Sequence, residues 1–285
     1  MTKLLSANIL RLWKNRFFWI GMVFMAVLGI FMPINGYLNI KRYSGYMVSL
    51  DGVFFDYVVF IGILLSIFCS LFIGTEYSDG TIRNKIVIGH SRIAIYLSNL
   101  FVSILAGLLM CSVNLLLCFL VGTPLLGFFA ADIKSVLLFV VDSLIMMIAF
   151  SAIYTFISML CSSKAVSGII CVLGVFVCFC ISIFISSELS LPESYLEYYI
   201  DDGYTQEELE DIIAEGSDKN PFYVRGTKRQ IYEFFDVFLP TGQVLHIVEF
   251  DWNPEHISLM PIYSILIIIT TTGGGLICFW KKDLK

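Results

Sequence analysis

Six predominantly apolar runs constrain this chain more than any motif in it: Phe17 to Ile34, Phe54 to Ile73, Ile93 to Val121, Ile133 to Leu160, Ala165 to Ile185 and Ile257 to Trp280. A bilayer crossing takes about 20 apolar residues wound as a helix, because lipid offers no partner to an unpaired backbone N–H or C=O. The third and fourth runs are long enough to tilt or to extend past the hydrocarbon. With 58% apolar and 14% charged residues the chain lies far from the soluble range of roughly 45–50% and about 25%. The expected fold is an all-α integral membrane protein with six transmembrane helices.

Between the second and third runs lies a short charged loop, Gly74-Thr75-Glu76-Tyr77-Ser78-Asp79-Gly80-Thr81-Ile82-Arg83, continuing to Gly89-His90-Ser91-Arg92. Hydrocarbon cannot hold Glu76, Asp79, Arg83, Lys85 and Arg92 together, so this segment is expected in water or against a partner's surface. Basic residues set its side. With the N-terminus inside, eleven basic residues fall on cytoplasmic segments and three, Lys41, Arg42 and Lys134, on the short outer loops. Both termini and the charged loop are therefore expected in the cytoplasm.

The net charge of −5 is divided unevenly: Ser186 to Ile257 carries 16 acidic and 4 basic residues, leaving the rest of the chain basic. The expected domains are a membrane domain over 1–185 with the loop at 74–92, an acidic extracellular helical domain over 186–256, and the sixth span with a cytoplasmic end over 257–285. Thr205-Gln206-Glu207-Glu208 has capping-box spacing and opens a helix through Ile213 that ends at Gly216. A second helix is expected from about Lys228 to Leu239, with Ile231, Phe234, Phe235, Phe238 and Leu239 on one face, broken by Pro240 and Gly242. Its aromatic face is expected to pack as core. Glu207, Glu208, Glu210 and Asp211 form a candidate ligand surface for cations.

At the other end, Leu5, Ile9, Leu12 and Trp13 recur at helical spacing against Lys3, Asn8, Arg11 and Lys14, the pattern of an amphipathic elbow helix lying on lipid headgroups. The first apolar run follows this basic stretch as in a signal peptide, but it lacks a small-residue cleavage site and is expected to be retained.

Catalytic patterns are missing. No P-loop and no His-Glu-x-x-His occurs, so nucleotide hydrolysis in this chain and a zinc hydrolase both lack support. His246, Glu249 and His256 fit no metal-ligand spacing, and no cofactor or nucleic-acid partner is implied. The eight cysteines lie in or beside the apolar runs, and no disulfide framework is expected. Within the spans, Asp56 and Asp142 are candidates to line a pathway, because a carboxylate in a span faces a cavity or a partner. Asn114, Thr155 and Ser158 are expected to join helices, and Gly273-Gly274-Gly275 to let the last span pack closely.

A membrane body with no engine and a charged cytoplasmic loop resembles the membrane subunits of type-2 ATP-binding cassette (ABC) exporters. The residues that carry the resemblance are Glu76, Gly80-Thr81 and Arg92, in a loop that in this family forms the coupling helix docked on the ATPase. The likeness covers the whole chain in topology and Gly74 to Ser98 in motif. Gly89-His90 departs from the proline many members have, and the outer domain is larger than in the simplest members. The resemblance implies a bacterial plasma-membrane permease, a second permease protomer and two ATPase subunits. It also implies coupling roles for Glu76, Asp79, Gly80, Thr81, Arg83 and Arg92, and export of a drug, antimicrobial peptide or other amphipathic substrate. A membrane sensor or immunity protein that binds an extracellular ligand is the alternative, and an intramembrane enzyme the third reading.

Overall fold

A computed structural model describes residues 2–43, 48–195, 219–249 and 254–283. Its helices, numbered in chain order, are α1 (Thr2–Trp13), α2 (Arg16–Arg42), α3 (Asp51–Phe54), α4 (Tyr57–Ser78), α5 (Thr81–Val87), α6 (Arg92–Leu126), α7 (Ile133–Leu160), α8 (Lys164–Leu189), α9 (Thr227–Phe238), α10 (Pro240–Glu249) and α11 (Pro254–Lys281). Among the described residues there is no strand, only an isolated bridge between Ser194 and Lys219. Six stretches among the described residues are long and apolar enough to span: α2, α3 with α4, α6, α7, α8 and α11. The helices run beyond the apolar runs, α2 past Pro33 to Arg42 and α6 through Pro124 to Leu126. Backbone that continues into the interface still gains by pairing within the helix, and neighbouring helices tolerate the prolines.

The bundle is built around α4 and α7. In their most apolar windows 61% and 56% of residues are buried, against 28% in α8 and 22% in α11. Outward faces such as Val23 and Val27 on α2 or Leu173 and Val177 on α8 stay exposed and apolar. Because lipid is as apolar as leucine, close fit and polar pairing must hold the helices together. A Cβ on Gly29 would sit 2.8 Å from the Asn114 carbonyl oxygen, and the Asn114 amide donates to the Met25 carbonyl at 2.9 Å. That seam joins α2 to α6. Ser167 likewise donates to Ser158 at 2.9 Å, whereas the Thr155 hydroxyl is buried with no partner among the described residues. Of the three consecutive glycines, Gly275 lies hard against Tyr96 and Gly273 meets open space.

One face of the bundle carries α1 and α5 and the opposite face carries α9 and α10. α1 turns into α2 at Asn15, whose side chain accepts from the Phe18 N–H at 3.1 Å and caps the span. α1 buries Leu4, Asn8 and Leu12, while Leu10 and Trp13 remain exposed. The packed stripe is therefore offset from the purely apolar one, because Asn8 has polar partners on α6.

The second helix expected after the fifth span is α9. Pro240, expected only to break it, also starts α10, where its missing N–H costs nothing. α10 packs among α8, α7 and α4. The Thr241 hydroxyl pairs with Ser182 at 2.7 Å and donates to the Cys178 carbonyl at 3.2 Å. Cys178 lies about 16 Å along α8 from its end at Leu189. The α9–α10 hairpin thus packs into the bundle alongside α8. α9 is also inverted: Asp236 is buried, while Ile231, Phe234 and Phe235 stay more than 40% exposed. The aromatic face is only partly covered, by Tyr263, whose ring lies 5.6 Å from those of Phe234 and Phe238. The expected helix from Thr205 to Ile213 and its acidic residues lie outside the described residues.

Candidate functional site

The charged loop folds as a turn and a short helix. Asp79 ends α4 with its N–H on the Thr75 carbonyl, and Gly80 then takes the left-handed conformation, φ 67°, that turns the chain into α5. Glycine is the residue that adopts this geometry without a Cβ clash. Ser91 caps the next span by accepting from the Ala94 N–H at 3.2 Å. α5 buries only Ile82. Arg83 and Asn84 are exposed, and beyond them Val87 is 85% and Ile88 77% exposed.

Glu76 does not share that exposure. It is 1% exposed, and its carboxylate pairs with Arg11 from α1 and Lys85 from α5 while accepting from the Asn99 amide of α6 at 2.9 Å. Asn8 extends the cluster by donating to Ser98 at 2.8 Å and accepting from Lys85 at 3.1 Å. The Arg11 guanidinium lies 3.7 Å from the centre of the Phe72 ring. Burial lowers the pKa of Arg11 and of Lys85 from their ordinary values, and Glu76 works against that shift in both. One carboxylate thereby holds α1, α4, α5 and α6 at a single point. A buried pair of this kind adds little net stability over apolar packing, but removing one partner leaves an uncompensated charge.

Arg92 also turns inward. It donates to the carbonyls of Phe279 at 3.0 Å, Trp280 at 2.9 Å and Lys282 at 2.5 Å, the last turn of α11 and the residue beyond it. Lys282 reaches the Met159 carbonyl at 3.1 Å and lies 4.1 Å from the centre of the Tyr77 ring, and burial lowers its pKa. The expectation that all five charges of the loop face water or a partner therefore divides. Glu76, Lys85 and Arg92 are occupied within the chain, while Asp79 and Arg83 are exposed beside the apolar tip of α5. Thr81 is the first residue of α5 and half-buried. A cavity of about 680 Å3 opens between this turn, Ser162 and Asp283.

On the opposite face a second polar cluster joins the hairpin to the last span. His246 pairs with Asp236 at 2.8 Å. The Gln243 amide donates to the carbonyls of Val237 at 2.9 Å and Met260 at 3.2 Å, and Ser264 donates to the Gln243 side chain at 2.7 Å. Sequence reasoning did not find this cluster; its only trace is a glutamine and a serine inside apolar stretches. Among the described residues no group of acidic, histidine and cysteine side chains could hold a metal ion. Asp56 is half-buried and Asp142 buried, the latter with one carboxylate oxygen unpartnered, and no hydrogen bond or ion pair joins the two among the described residues. Near Asp142, the Tyr57 and Ser143 hydroxyls pair at 2.6 Å. Glu207, Glu208, Glu210 and Asp211 lie outside the described residues.

A family model described as ABC-2 family transporter protein matches residues 4–183, well over half of the chain. No curated protein and no solved structure matches it. The chain belongs to the ABC-2 family of transporter proteins, as a membrane component.

Proposed function

We propose that this ABC-2 family member is the permease subunit of an exporter whose ATP is hydrolysed by a separate ATPase docked on α5. The observation that carries the reading is the contrast within one short segment. Val87 and Ile88 stand out from the surface next to Arg83, while Glu76 and Lys85 pin the same helix to α1 and α6. An apolar tip with a charged flank suits a protein interface. The buried cluster behind it would carry a push on α5 into two other helices, since packed and charge-paired elements shift as units. In this reading the α1 face is cytoplasmic, α1 is an elbow on lipid headgroups, and two protomers, identical or paralogous, bind two ATPases. Substrate passes between the protomers.

The test is co-isolation of an ABC ATPase subunit with the chain from its native host. Val87→Asp with Ile88→Asp abolishes co-isolation and leaves the permease folded; unchanged co-isolation would falsify the docking surface. Labelling cysteines placed at Ser78 and Gln230 in intact cells, in a background without native cysteines, tests sidedness. Only Gln230 reacts with an impermeant reagent. The acidic charge of the outer segment supports a cationic amphipathic substrate. Neutralising Glu207, Glu208, Glu210 and Asp211 together then weakens binding of a cationic peptide, more at low than at high ionic strength. Equal affinities at both would leave the permease reading and remove the peptide.

A further inference from the structure

The last span, α11, is held by Arg92 at one end and joins the Gln243 cluster at the other. At its C-terminal end Arg92 takes three main-chain carbonyls. One turn further along α6, the Tyr96 ring lies against Gly275, where any Cβ would collide with it, and its hydroxyl donates to the Thr271 carbonyl at 3.5 Å. The first two turns of α6 therefore grip the last three of α11. Lys282 fastens the same end to α7 through Met159 and to α4 through Tyr77. At the other end, the Met260 carbonyl and the Ser264 hydroxyl hold Gln243 of the hairpin. Met260 and Phe279 stand about 28 Å apart along one continuous helix.

We infer that α11 is a push-rod that carries displacement of α5 to the α9–α10 hairpin, with Arg92 as the positioning residue that fastens the rod to the coupling segment. Arg92 follows the exposed tip of α5 by four residues, and its acceptors are main-chain atoms with no rotamers to absorb a movement. A planar guanidinium can serve several carbonyls from one position, which a lysine ammonium on a flexible stem does less rigidly. At the far end the contacts are neutral hydrogen bonds, weaker than charge-assisted ones, so a modest force can shift them. The rod rests on the reading that an ATPase docks on α5, but the Arg92 fastening does not.

Two measurements separate these claims. Spin labels at Asn84 and Asp283, in the full chain in lipid nanodiscs with native cysteines replaced, read the fastening without any ATPase. The wild type gives one narrow distance; Arg92→Ala loses the narrow peak and Arg92→Lys lies between. An unchanged peak in Arg92→Ala overturns the fastening. Labels at Gln230 and Lys134 in the assembled complex read the hairpin. A nucleotide-dependent shift present in the wild type disappears in Arg92→Ala and in Gln243→Met, although the ATPase remains bound. A shift retained in either variant, or absent from the wild type, overturns the rod. Failure of the wild type to bind an ATPase defeats the docking reading instead, and the first measurement then decides the fastening by itself.

Discussion

The Glu76 cluster and the Gln243 cluster sit at opposite ends of the same bundle and hold helices together by different chemistry. Around Glu76 the bonds are ionic, one buried carboxylate against two cations whose charge burial disfavours. Around Gln243 they are neutral amide, hydroxyl and carbonyl bonds with one Asp236–His246 pair beside them. A buried charge without its partner is expensive, so the first cluster stays closed unless all of its members move together. Neutral bonds exchange at lower cost. The difference gives rigidity to the α1 face and compliance to the hairpin face.

The contrast breaks first at Glu76. Glu76→Ala strands Arg11 and Lys85 and costs about 3–5 kcal/mol, read from the unfolding transition of the purified permease. The triple change Glu76→Met, Arg11→Met, Lys85→Met recovers most of that loss but not ATPase-driven transport. A single variant that melts like the wild type would remove the ionic cluster from any structural role.

On the hairpin face the losses are smaller. Asp236→Asn keeps the shape and a hydrogen bond to His246 and costs about 1–2 kcal/mol; a cost equal to that of Glu76→Ala would erase the difference between the two ends. Thr241→Val removes the bonds to Ser182 and Cys178 for about 1 kcal/mol and makes Cys178 react faster with a thiol reagent. If reactivity does not change, the hairpin tip is held by packing alone. The smallest effect on stability belongs to the exposed tip of α5. Val87→Asp with Ile88→Asp stays within about 0.5 kcal/mol of the wild type, as for surface substitutions generally, while abolishing ATPase association. A large drop in stability there would mean that the tip is structural after all.

Six spans and the short loop between the second and third were legible from the sequence, because hydrocarbon demands long apolar helices. Membership of the transporter family was legible too, from Glu76, Gly80-Thr81 and Arg92. Tertiary structure alone decided where those residues point. Arg92 meets backbone carbonyls 187 to 190 positions away, and a backbone acceptor leaves no mark on the sequence. Asn8 faces inward and Phe234 outward for a related reason. In lipid the exposed surface is as apolar as the core, so hydrophobic periodicity shows that a helix has two faces without saying which one is buried. α10, ten residues behind a proline, was hidden because its burial depends on Ser182 and the Cys178 carbonyl, groups brought to it only when the hairpin inserts.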